Sequence, residues 1–325
     1  MKTFCLKVVA FLALQGMILA LLGHPNLPGE SNYLAATLDK HNRLEHTRPP
    51  RILLIGGSNL AFGIESDLLA QGLSRPVVNM GLIAGAGIPF MLNEVAGQVH
   101  RGDLVVCSFE YDLFAGGDYD LNLRQLLELR PRSFWFLPLS KWKRFLTDYG
   151  MQILGGDLRR MVLPDRIASG SVLTDFGYQR QGFDADGSYI GHYGSPANLA
   201  MVPANSPLLA KSPIPPMTPF VREKIARFAQ LCHQRGARCL FTCPPQPPVL
   251  LAPILPVVRA NLAELATIPH VRVLDQPTDE TYPLTEFYDT RYHLTRVGIL
   301  QRTRKLIAEL RPLVSASEHG KFSNR

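Results

Sequence analysis

The chain has 325 residues, 46% of them apolar and 19% charged, with a formal net charge of +7 at pH 7. That composition excludes a disordered or low-complexity polymer and fits one large α/β domain or two ordinary ones. Lys and Arg are scattered among acids rather than gathered with aromatics in a basic run, which argues against nucleic acid as a partner and leaves only a mild attraction to anionic surfaces.

Lys2 and Lys7 precede the apolar run Val8 to Gly23, which is apolar on every face. Residues 1–23 read as an uncleaved membrane anchor, with a cleaved secretory signal peptide as the alternative; no small-x-small site precedes His24-Pro25. Two lysines ahead of the span put the N-terminus in the cytoplasm and the remaining chain across the membrane. Residues 24–50 read as a polar linker ending in Arg48-Pro49-Pro50.

From Arg51 the chain alternates apolar runs of strand length with helical periodicity. Strands are expected at Ile52–Ile55, Val77–Asn79, Asp103–Ser108, Arg238–Thr242 and Val271–Leu274. Helices are expected at Glu65–Leu73, Ile88–His100, Leu121–Leu129, Phe220–Gly236, Ile254–Ala266 and Thr295–Leu313, with one or two more between Pro138 and Met161. Apolar strands separated by helices imply a parallel, doubly wound sheet in three layers, an α/β domain over 51–315. About 131–219 reads as an irregular insertion bordering a site, and 316–325 as a frayed polar tail. Five cysteines without a CxxC pair or metal-ligand spacing read as core residues, with one disulfide among Cys232, Cys239 and Cys243 left open.

Two stretches carry chemistry. In Ile55-Gly56-Gly57-Ser58-Asn59 a strand stops at two glycines and a serine, followed by a helix start. That places Ser58 at the carboxyl edge of a sheet, where open α/β folds bind ligands; the plainer reading makes Ser58 a helix N-cap. In Glu286-Phe287-Tyr288-Asp289-Thr290-Arg291-Tyr292-His293 an acid and an imidazole share a loop after the last strand. A serine hydroxyl needs an imidazole to take its proton, and the imidazole needs a carboxylate to fix its tautomer.

Here the chain resembles the SGNH (GDSL-like) hydrolase superfamily, from about Arg51 to Leu313. The matching blocks are Gly57-Ser58-Asn59, Asn79-Met80-Gly81 and Asp289 to His293. The resemblance implies Ser58 as nucleophile, His293 as base and Asp289 as its orienting carboxylate. It implies oxyanion donors at the Ser58 and Gly81 backbone N–H groups, with Asn59, Asn79 or the Tyr111 hydroxyl as substitutes for a third. The pattern departs at two places. Phe109-Glu110-Tyr111-Asp112 stands where the family has Gly-x-Asn-Asp, and the Asp289–His293 spacing is one residue longer than usual, with Glu286 as the substitute orienter.

Such a chain is expected to be a serine esterase or O-acyltransferase acting on acyl, foremost acetyl, esters of an exported carbohydrate. It would face the periplasm from the inner membrane, beside other polysaccharide-assembly proteins, and would use no metal or nucleotide cofactor. The other expectation is a non-catalytic scaffold or carbohydrate-binding component that keeps the fold.

Overall fold

The computed structural model describes residues 32–117, 120–147, 177–201 and 214–322, and short pieces between 3 and 15. Most of the expected anchor at 1–23, residues 148–161 of the helical stretch expected up to Met161, and part of the insertion lie outside the described residues. Among the described residues no helix is long and apolar enough to cross a membrane.

Five strands form one sheet: β1 (Ile52–Gly56), β2 (Val77–Asn79), β3 (Leu104–Ser108), β4 (Arg238–Phe241) and β5 (Val271–Val273). They run in the order β2-β1-β3-β4-β5, and every pairing is parallel. All five residues of β1 are buried, as expected of a strand covered on both faces.

Side chains alternate between two cores. Leu53, Ile55, Val78, Val105, Cys107, Cys239 and Phe241 point to one face, where Ile88, Leu92 and Val95 of helix Ile88–Ala96 and Val221, Ile225 and Phe228 of helix Pro219–Gln234 pack. Ile52, Leu54, Val77, Leu104, Val106 and Leu240 point to the other, against Leu69 and Leu73 of helix Ser66–Leu73 and Leu306, Ile307 and Leu310 of helix Arg296–Phe322. The result is helix, sheet, helix. Each such buried aliphatic side chain contributes roughly 1.5–3 kcal/mol, so the two cores are the main cohesive term.

Residues 24–50 are not simply a linker. Tyr33–Ala35 and Ala36–His46 are helical, with Tyr33, Leu34, Ala35, Ala36 and Leu44 buried. Buried Arg51 explains the attachment. Its guanidinium donates to Leu44 O at 2.5 Å, Thr47 O at 2.6 Å and Gln98 O at 2.6 Å, beside the buried carboxylate of Asp103. Of the polar residues that suggested a linker, Asp39, Asn42, Glu45 and His46 lie on the outer side of this helix, while Thr37, Lys40 and His41 are buried. At the other end, the last helix runs to Phe322 rather than stopping near Leu313, continuing through Pro312 and the polar residues expected to fray. Cys107, Cys232, Cys239 and Cys243 are buried free thiols.

Part of the insertion covers the β2 edge. Asn79 N–H donates to Asp186 O at 3.0 Å, and the buried Lys40 ammonium donates to Asn79 O at 2.9 Å and Gly187 O at 2.6 Å. An unpaired edge strand is thereby closed, and Tyr178 and Tyr189 are brought over the carboxyl end of the sheet.

Candidate active site

The strand order reverses between β1 and β3, and the site sits at the carboxyl ends of these two strands. β1 ends where it must: a Cβ on Gly56 would lie 1.9 Å from Ser108 O, and one on Gly57 would lie 2.3 Å from the Glu110 carboxyl. Two glycines therefore let the chain turn hard against β3 and enter the single helical turn Ser58–Ala61. Gly57, not Ser58, holds the N-cap position. The Ser58 side chain is directed elsewhere.

Ser58 Oγ lies 2.8 Å from His293 Nε2, although 235 positions separate them. His293 Nδ1 lies 2.8 Å from Asp289 Oδ1. The longer spacer does not carry Asp289 away, because the loop folds back on itself. Tyr288 N–H donates to His293 O at 2.8 Å, and Phe287 and Leu294 form an antiparallel bridge. Asp289 and His293 therefore sit on one side of a short hairpin-like loop. Glu286 faces the last helix, where its Oε1 accepts from Gln301 Nε2 at 3.1 Å.

Tyr178 was not legible as a site residue. Its hydroxyl donates to Asp289 Oδ2 and stands 3.2 Å from His293 Nδ1. Burial pushes the Asp289 carboxyl up, but hydrogen bonds from His293 and Tyr178 and the imidazole's charge outweigh it, leaving the acid below its ordinary range. Burial, then the neighbouring Asp289, raises the Tyr178 phenol far above its ordinary value, so it stays a donor. With a carboxylate at Nδ1, the imidazole carries its proton there and offers Nε2 as acceptor to the Ser58 hydroxyl.

The imidazole is held in an aromatic wall. Phe62 stacks on His293 with ring centroids 4.0 Å apart and planes 10° from parallel. Phe62 O also accepts Leu294 N–H at 3.0 Å. Tyr33, Tyr178 and Tyr189 surround Phe62 at centroid distances of 4.5 to 6.2 Å.

His192 lies behind this wall, its Nε2 donating to Leu294 O at 2.9 Å. Burial lowers its pKa to about 4, so the folded protein keeps it neutral while the unfolded chain protonates near 6.5. The unfolded state then binds more protons between those values, and stability is lost as pH falls from about 6.5 to about 4. We expect the melting temperature of His192→Asn to fall less than that of the wild type across this window. Parallel profiles would rule out His192 as the source.

The expected oxyanion donors are arranged differently from the sequence expectation. Gly81 N–H donates to Asn79 Oδ1 at 2.9 Å, and Asn79 Nδ2 donates to Leu60 O at 3.0 Å. The Asn59 side chain is fully buried, with Nδ2 donating to Ser108 O at 3.0 Å and Oδ1 accepting from Ser108 Oγ at 2.9 Å. Both asparagines brace the turn from within. Tyr111 is buried beside Cys243, Leu251 and Ile254. Ser58 N–H makes no hydrogen bond within the described residues and is the donor left for a ligand at this turn.

Glu110 braces the same turn from the end of β3. Its Oε1 accepts Asn59 N–H at 3.1 Å, Oε2 is buried without a partner, and burial raises its pKa. Beneath the turn lies buried Arg302, donating to Asn59 O at 2.8 Å and to Ser108 Oγ and Cys243 O at 3.1 Å. Arg302 was foreseeable as an oddity, since it interrupts the apolar stripe Ile299, Leu306, Leu310 of the last helix. No group of three or more His, Cys, Asp or Glu side chains among the described residues is placed to hold a metal ion.

Compared with models of known protein families and with curated proteins, the sequence matches none.

Proposed function

We propose that the chain is a serine esterase or O-acyltransferase with an SGNH-like, flavodoxin-like domain, acting through an acyl-enzyme on Ser58. The observation that carries this reading is the continuous contact Ser58 Oγ, His293 Nε2, His293 Nδ1, Asp289 Oδ1, at 2.8 Å for each step. Nucleophile, base and orienting carboxylate within hydrogen-bond reach are the geometry that activates a serine.

In the first half-reaction the Ser58 Oγ–H proton passes to His293 Nε2 as Oγ bonds to the acyl carbon. Charge develops on the carbonyl oxygen, toward which Ser58 N–H can point. Collapse breaks the bond to the departing alcohol, which takes the proton back from His293. A water or a sugar hydroxyl then repeats the sequence, giving the free acid or a new ester. Asp289 stabilises the imidazolium at each stage, and the Phe62 face lies against it.

The substrate class we favour is acylated, foremost acetylated, carbohydrate outside the cytoplasm, reached from an inner-membrane anchor at 1–23. That choice rests on the resemblance and the apolar N-terminal run. A second reading, a non-catalytic scaffold of the same fold, is favoured by the internal use of the Gly81 N–H and both asparagine amides. One oxyanion donor fewer typically costs about 10²–10³ in rate.

A fluorophosphonate probe separates the two. The esterase reading expects stoichiometric labelling of the peptide containing Ser58 and none in Ser58→Ala. A folded protein that takes no label at Ser58 favours the scaffold.

A further inference from the structure

We propose that residues 131–146 form a second site, one that seats the protein on an anionic lipid surface. The reading needs neither the Ser58 chemistry nor the N-terminal segment. Pro131–Phe136 is a 3-10 turn and 139–147 is helical. The segment is fixed to the domain by buried Ser133, Leu137 and Phe145 and by Asn93 Nδ2 donating to Phe136 O at 2.8 Å. It is therefore a formed surface with one side inward.

The outward side mixes large apolar residues with cations, Arg132, Lys143 and Arg144 being exposed too. Trp135 is 68% exposed, Leu139 77% and Leu146 61%. Leu139, Trp142 and Leu146 recur at the i, i+3, i+7 spacing of one helix face, and Trp135 packs on Trp142 at 5.3 Å. Along the chain the cations look scattered, but this segment holds Arg132, Lys141, Lys143 and Arg144 and not one carboxylate. These basic and aromatic residues lie together within residues 131–146 of the sequence itself, an exception to the scatter of cations elsewhere.

The chemistry of the occupant follows from this pairing. Exposed leucines and Trp135, backed by the partly buried Trp142 and flanked by cations, match the acyl boundary and the anionic headgroups of a bilayer. A sugar-stacking platform needs flat, accessible ring faces and polar groups around them. Here the two tryptophan rings stand 70° apart and their exposed neighbours are leucines, which favours lipid.

Both tryptophans of the chain lie in this segment, so intrinsic fluorescence reports on it alone. The experiment mixes full-length protein with vesicles of phosphatidylglycerol and phosphatidylcholine whose acyl chains carry bromine. The expected result is a blue-shifted emission and quenching by the brominated chains, weak on pure phosphatidylcholine and relieved by high salt. Replacing Arg132→Gln and Lys143→Gln together should shift the inserted-to-free ratio about thirtyfold toward free. Leu139→Ser with Leu146→Ser should likewise reduce quenching, with the melting temperature of each variant checking the fold.

Three results would overturn the proposal. One is vesicle-bound protein with unquenched tryptophans, which would mean that the N-terminal segment alone holds the membrane. Another is equal quenching on neutral and anionic vesicles. The third is an emission change produced by soluble polysaccharide and not by lipid.

Discussion

If Ser58 is the nucleophile proposed above, Asp289→Asn should lower turnover of an acyl ester by about 10³–10⁴, because the amide reverses the tautomer that the carboxylate enforces. An asparagine presenting Nδ2 to His293 Nδ1 would set two donors face to face. The imidazole escapes by moving its proton to Nε2, where it can no longer accept from Ser58. Tyr178 makes the loss shallower than a bare triad would suffer. Its oxygen, 3.2 Å from Nδ1, can accept the Nδ1 proton while its own hydroxyl donates to the amide oxygen. Tyr178→Phe alone should cost about tenfold, one charge-assisted hydrogen bond, and should deepen the Asp289→Asn defect by about the same factor. The measurement is the single-turnover acylation rate against pH for the two single variants and the double. An Asp289→Asn enzyme at full rate, or a double variant no slower than Asp289→Asn, would remove these roles.

Arg302→Ala should be the most damaging substitution for the fold. The guanidinium is 2% exposed and pairs with Glu280, itself 3% exposed, at 3.3 Å. Removing one partner of a buried pair costs about 3–5 kcal/mol, a large share of the 5–15 kcal/mol that holds a typical domain. Lys305 still reaches Glu280 at 2.7 Å, so that carboxylate is not left alone. The heavier cost falls on Asn59 O and Cys243 O, which lose their donor inside the core. Urea denaturation of Arg302→Ala should show a large fall in midpoint, and the surviving folded fraction should label poorly at Ser58. Arg302→Lys keeps the charge but not the forked geometry, so it should recover only part of the loss. A midpoint close to wild type would mean that the turn stands without this brace.

The strands were legible because most are apolar runs bounded by turn residues, and their alternation with helices implied a parallel sheet; the order β2-β1-β3-β4-β5 emerged only in the fold. Helix Ala36–His46 was not, since its buried face includes the polar residues Thr37, Lys40 and His41 and so shows no apolar stripe. The Ser58 and Asp289–His293 stretches stood out as residue types in chemically meaningful company. Tyr178 and Phe62 did not: a tyrosine in an irregular insertion and a phenylalanine after a short helix carry no periodic or motif signal. Their roles come from three-dimensional neighbourhood alone. The same holds for Asn59 and Asn79, whose amides looked available in the sequence and are spent on backbone carbonyls in the fold.

The hydrogen bond from Leu294 N–H to Phe62 O ties the position next to His293 to the fourth residue past Ser58. Nucleophile and base are thus registered to one another across a bridge a few atoms long, not through the width of the sheet. Breathing of the strands, or a change in the 220-odd residues lying between the two stretches, moves both partners as one piece. Segment 131–147 is consequently free to diverge in length and surface without retuning the distance between Ser58 and His293.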